Sequence, residues 1–188
     1  MKMFHRLSFC GPVLVLSLTA CSRQAETPKT AVSATPAATP ASPAKVAALP
    51  VLGPAPAWSL KDVHGLPITS EQFKGKVVVL DFWATWCGPC RQEIPGYVDL
   101  QRKYGKDGFV VVGVSLDQAG PKVVEDFVKK FAVNYQMVMG DEAIQTAFGG
   151  MDAIPTTFLI DRAGQVRDRK VGAEPAEEYE KKVKTLLE

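Results

Sequence analysis

Two cysteines separated by two residues, Cys87 and Cys90, are the side chains of this 188-residue sequence best suited to chemistry. A C-x-x-C pair can cycle between dithiol and disulfide, contribute to a metal site, or anchor haem. Haem attachment calls for His directly after the second Cys, and Arg91 stands there. A structural zinc site needs two further Cys or His ligands, but after residue 50 the sequence offers only His64. Carriage of copper by the two thiolates is a binding-module alternative that the lack of a Met-rich or His-rich flank disfavours. Redox exchange fits the local pattern best, because Cys87-Gly88-Pro89-Cys90 follows an apolar run and opens a helix-compatible one. At a helix N-terminus the unpaired N–H groups and the dipole favour an anion, which lowers the pKa of a Cys87 thiol. Cys90 then lies one turn behind, close enough to attack a mixed disulfide on Cys87. Gly88 keeps the approach open, and Pro89 lacks an N–H only where a helix has no acceptor for it.

The elements around the pair read as alternating strands and helices. Lys76 to Trp83 contains Val77-Val78-Val79-Leu80, a continuous apolar run of strand length, as expected in the middle of a sheet buried on both faces. Helical spacing follows from Gly88 to about Tyr104, and Phe109 to Val114 is a second buried strand, so a right-handed crossover should join a parallel pair. Further helices are expected from Pro121 to about Phe131, Asp141 to about Phe148 and Ala176 to Leu187. Hairpins are expected at Trp58–Leu60 with Leu66–Thr69, and at Thr156–Ile160 with Gln165–Val171 across Asp161–Gly164.

The first fifty residues have another character. Lys2 and Arg6 precede an apolar run from Leu7 to Ala20, too short to span a bilayer comfortably and typical of a secretory signal. The run closes on Leu18-Thr19-Ala20-Cys21, which resembles the box read by the bacterial lipoprotein signal peptidase. The expectation is a signal peptide at 1–20, removed with Cys10 and His5, and a lipid on Cys21; a plain secretory signal would leave Cys21 as an odd free thiol. Residues 21–50 are dominated by Ala, Thr, Ser and Pro without an aromatic residue, the composition of a disordered, partly extended linker. Five of the 22 basic side chains and one of the 20 acidic ones precede residue 51, leaving 17 against 19 in the remainder. That balance excludes the clustered basic face of a nucleic-acid binder.

With its strand attached, Val79-Leu80-Asp81-Phe82-Trp83-Ala84-Thr85-Trp86-Cys87-Gly88-Pro89-Cys90 resembles the active-site segment of thioredoxin. The region 51–188 as a whole resembles the tethered bacterial TlpA/ResA-like group of the thioredoxin superfamily. Glu71 to Lys76 matches the group's lead-in, the stretch between Leu116 and Met151 its strand-helix insertion, and Ile154 to Asp161 its cis-proline strand. The resemblance implies an α/β thioredoxin fold, with a central mixed β-sheet flanked by helices, an N-terminal β-hairpin and the central insertion. It implies thiol-disulfide oxidoreductase activity without a cofactor, Cys87 being the attacking thiol and Cys90 the resolving one. It makes Pro155 a cis-proline facing the pair and gives Ile154 backbone groups to offer an extended substrate. Trp86, Gly88 and Pro89 would complete the substrate surface, and Trp83 would be core. Asp81 would be a buried acid relaying a proton to or from Cys90, where this group often carries an amide. From the residues alone, Pro155 is simply a strand-start proline, Trp86 could equally be a packing residue, and Asp81 could point to solvent. Glu93, Arg91 and His64 read as solvated surface.

The partners implied are client-protein thiols or disulfides, a membrane-embedded thiol-electron donor and the membrane itself through the lipid, the protein being a monomer. Cytochrome c or metalloprotein maturation is the expected setting, on the periplasmic side of a bacterial membrane. Ser22 after Cys21 leans towards the outer membrane, with the inner one as the alternative. Gly88-Pro89 and Asp81 resemble reducing thioredoxins, so the expected direction is reduction of clients. A peroxiredoxin-like peroxidase is the rival enzyme; its chemistry calls for Thr or Ser three residues before the attacking Cys, where Ala84 stands.

Overall fold

A computed structural model describes residues 48–188. The expectations for the signal segment, for Cys10 and Cys21, and for nearly all of the linker lie outside the described residues.

The central strand of the sheet, β4 (Val77–Trp83), is buried at every position. It leads through α1 (Gly88–Tyr104) to β5 (Phe109–Ser115), which pairs with it in parallel from Val77↔Phe109 to Trp83↔Ser115. This is the crossover that two apolar strands flanking an amphipathic stretch require. Next come α2 (Pro121–Lys130), β6 (Gln136–Met139) and α3 (Glu142–Ala147), with β6 parallel to β5. The β7 (Thr156–Ile160) and β8 (Gln165–Val171) hairpin pairs antiparallel with β4 on its other side, and α4 (Ala176–Leu187) follows.

Before β4 lie β1 (Gly53–Pro54), β2 (Ser59–Asp62) and β3 (Pro67–Thr69). The eight strands form one mixed sheet in the order β1-β8-β7-β4-β5-β6-β2-β3. Each outermost strand is two or three residues long and contains a proline, Pro54 or Pro67. The first hairpin is shifted from its expected bounds because Asp62 extends β2 and closes the turn: its carboxylate accepts the N–H groups of His64 and Leu66, both at 2.8 Å.

Alternation along β4 sorts its side chains onto two faces. Val78, Leu80 and Phe82 join Val112, Val114, Val138, Phe158 and the α3 side, where Ile144 and Phe148 cover them. Val77 and Val79 pack beneath Tyr97 and Leu100 of α1 and Tyr179 and Val183 of α4. Trp83 packs with Cys90, Ile94 and Val98 of α1 and with Val124 and Phe127 of α2. Asp81 falls between Val79 and Trp83 on that same face, under the first turns of α1. Among the described residues no helix is long and apolar enough to cross a membrane.

Candidate active site

Cys87 is the N-cap of α1, and the sequence makes it so: β4 ends at Trp83, a short turn closes with the Cys87 N–H on the Ala84 carbonyl (3.1 Å), and Pro89 follows in the first helical turn. The Cys87 sulfur accepts the Cys90 N–H at 3.2 Å, which is the cap contact a serine or aspartate would ordinarily supply. The two sulfurs form a disulfide with an S–S distance of 2.03 Å. Cys90 is fully buried and Cys87 almost so, while Trp86, Gly88 and Pro89 are exposed around them, Trp86 to 69%. Any partner sulfur therefore reaches the disulfide through Cys87.

Across from the helix start lies the Ile154–Pro155 bond, which is cis. The Ile154 carbonyl oxygen is 3.7 Å from the Cys87 sulfur, and Ile154 is partly exposed. A groove of about 580 Å³ opens between Trp86 and Ile154 and is also lined by Asp117, Asp141, Glu142 and Asp152.

Asp81 is buried, with its Oδ1 accepting the Thr157 hydroxyl at 3.1 Å, and Thr157 in turn lies 3.3 Å from the Tyr97 hydroxyl. Removal from water pushes the Asp81 carboxyl up to about 8; the nearby Glu93 charge adds to this and the Thr157 hydroxyl opposes it. At neutral pH this side chain is mainly the neutral acid, able to give its proton and, once ionised, to take one back.

Glu93 corrects the sequence-based expectation. It is not solvated surface: it is 7% exposed, its Oε1 accepts the Glu174 N–H at 2.8 Å, and its Oε2 is buried without a hydrogen-bond partner. Burial raises its carboxyl to about 7 against the opposing Glu174 N–H. The signal was present in the spacing, since Cys90, Glu93, Ile94, Tyr97 and Val98 form the buried stripe of α1. Arg91 and His64 are exposed, and the Arg91 guanidinium lies 5.5 Å from the Phe131 ring. Asp117, by contrast, was not singled out from sequence at all: it is a buried carboxylate bonded to Thr85 in the turn before Cys87.

A disulfide capping the helix that follows the central strand of a mixed sheet, opposite a cis-proline loop, defines a thioredoxin-like thiol-disulfide oxidoreductase. The chain belongs to the Redoxin family, whose profile matches residues 51–187. It is 36% identical over 131 residues to the thioredoxin-like protein YneN of Bacillus subtilis (strain 168), covering 69% of this chain and 76% of that one. It is 34% identical over 134 residues to the thiol-disulfide oxidoreductase ResA of Bacillus thuringiensis subsp. konkukian (strain 97-27), covering 70% and 76%. Among solved structures, a thiol:disulfide interchange protein of the thioredoxin family from Chlorobium tepidum TLS superposes with a TM-score of 0.67 at 35% identity, over 72% of this chain and 97% of that one. The fold is thus the thioredoxin-like mixed sheet with flanking helices, and the chain is a ResA-type member of that superfamily.

Proposed function

We propose that this oxidoreductase reduces disulfides in client proteins on the periplasmic side of a bacterial membrane, to which a lipid on Cys21 tethers it. In the dithiol form the Cys87 thiolate, held by the first N–H groups of α1, attacks a client disulfide and forms a mixed disulfide. Cys90 then attacks the Cys87 sulfur, the client leaves as a dithiol, and the Cys87–Cys90 disulfide remains. Two electrons pass to the client, and the Cys90 proton needs an acceptor. Asp81, under the same turns of α1, is that acceptor in its ionised form and the donor on the return journey. The client lies extended against the Ile154 backbone and the cis Pro155, with Trp86, Gly88 and Pro89 forming the rest of the contact surface.

The observation that carries this reading is the Cys87 sulfur at the helix N-cap with the Cys90 N–H on it at 3.2 Å, an arrangement that holds charge on Cys87 rather than Cys90. A membrane thiol transporter would return the electrons, and cytochrome c or metalloprotein maturation is the fitting client class. Insulin reduction with dithiothreitol tests the first step: turnover by the wild type and none by Cys87→Ser is expected, and undiminished turnover in Cys87→Ser would sink the proposal. Titration of the pair against glutathione tests the direction; a potential near the roughly −120 mV of strong periplasmic oxidants would reverse it. Mixed disulfides trapped with Cys90→Ala identify the client.

A further inference from the structure

The turn Ala84-Thr85-Trp86-Cys87 is gripped from outside by one side chain. Asp117, just beyond the end of β5, is 7% exposed. Its Oδ2 accepts the Thr85 N–H at 2.9 Å, and its Oδ1 accepts the Thr85 hydroxyl at 2.5 Å. The Ser115 hydroxyl donates to the same carboxylate at 2.9 Å, while the Ser115 oxygen accepts the Asp117 N–H at 3.1 Å. The donors are all neutral, so the carboxylate is stabilised by geometry rather than by a counter-charge. A buried anion this close to a thiol that must ionise is electrostatically unhelpful, which makes a purely charge-based role a poor explanation for it.

We infer that Asp117 is a positioning residue for the Cys87 sulfur: its two-point grip on Thr85, braced by Ser115, fixes the turn that delivers Cys87 to the start of α1. This inference rests on Cys87 being the attacking sulfur. In the disulfide form the S–S bond itself holds Cys87 to the helix. Once that bond is reduced, the Cys90 N–H still reaches the Cys87 sulfur at 3.2 Å, and three other ties remain. The turn closes on Ala84, the Arg91 N–H reaches the Cys87 carbonyl at 3.2 Å, and Asp117 holds Thr85. The first two, like the Cys90 N–H, are local to the turn and helix; of these ties the Asp117 grip is the one that links the turn to the end of the neighbouring strand β5. It therefore matters most in the dithiol state, where the sulfur must stay within reach of the helix N–H groups.

The test is the pH profile of iodoacetamide alkylation of Cys87 in a Cys90→Ala background, measured well below the melting temperature of each variant. Asp117→Ala is expected to raise the Cys87 pKa and to slow alkylation near neutral pH by about tenfold. Asp117→Asn keeps an oxygen for the Thr85 N–H and a donor for the Thr85 hydroxyl, and Thr85→Ser keeps both contacts; each is expected within about twofold of wild type. An unchanged profile in Asp117→Ala would overturn the inference, and so would a lowered Cys87 pKa in both Asp117 variants, which would assign the residue an action by charge. If Asp117→Ala does not fold, Thr85→Val takes its place: loss of the hydroxyl contact alone should slow alkylation about threefold, and a wild-type profile there is equally fatal. Failure of wild-type Cys87 to react at all would instead refute the reading of the site on which this rests.

Discussion

Asp81 interrupts a strand whose other residues are Val, Leu, Phe and Trp, and burial there holds its carboxyl at about 8. The unfolded chain releases that proton near the ordinary carboxyl value of 3.8. Between those pH values the native state binds a proton that the unfolded state does not, so stability falls as pH rises. Asp81→Asn removes the cost. Urea denaturation should find it more stable than wild type, by a margin that grows by about 3 kcal/mol between pH 5 and pH 8; equal margins at the two pH values would refute the assignment. The same variant should prolong the mixed disulfide by about 100-fold in single-turnover experiments, because Cys90 loses its proton acceptor. Stability and turnover thus pull in opposite directions at this position.

At the scale of elements, α1 must approach the start of α4 closely. A Cβ built on Gly96 would lie 2.6 Å from the Ala176 Cβ, a contact neither backbone can relieve by side-chain rotation. Gly96→Ala should gain about 1 kcal/mol of helix propensity and lose about 1–3 kcal/mol to overpacking, for a net fall in stability that thermal unfolding will register. The N-cap of α3 offers a milder case: the Asp141 carboxylate accepts the Ile144 N–H at 2.9 Å, and Asp141→Ala should cost about 1 kcal/mol.

The elements that position the disulfide were legible because each is long and strongly patterned. β4 and β5 read as unbroken apolar runs, and α1 and α2 carry their own start signals in Pro89 and Pro121. The roles proposed for Pro155 and Asp81 came only through resemblance; the cis bond before Pro155 leaves no local trace in the sequence. β1 and the bounds of β6 were not read, as two and four residues are too few for a periodicity to emerge. Glu93 and Asp117 were missed for a different reason. Their partners, the Glu174 N–H and Thr85, are 81 and 32 residues away, and a charged residue reads as solvated until the fold supplies donors.

For the molecule as a whole, two buried acids set the acid–base behaviour. Asp81 at about 8 and Glu93 at about 7 both reduce stability as pH rises from about 5 to 8. Glu180, held down to about 2 by Lys103 and Tyr104, and Asp161, lowered by Arg167 and the Gln165 and Ala163 N–H groups despite burial, act the other way. Their contribution is present above the ordinary carboxylate range and is lost only as pH falls through their depressed values. The denaturant midpoint should therefore peak near pH 5 and decline towards pH 8. In the double variant Asp81→Asn, Glu93→Gln that decline should flatten; a wild-type profile that rises from pH 5 to 8 would show the two carboxyls ionised in the native state.

The short proline-bearing strands at the two ends of the sheet, β1 and β3, gain a meaning from the company such a protein keeps. A thiol-disulfide oxidoreductase acting in the proposed way on unfolded or half-folded chains would be exposed to the very strands that nucleate edge-to-edge aggregation. Stubs of two and three residues, each lacking an amide hydrogen at its proline, give such a chain almost nothing to zip onto. Under the proposed function a client would then be held at the disulfide and the Ile154 loop rather than along the ends of the sheet, and would be free to leave once its sulfurs had been exchanged.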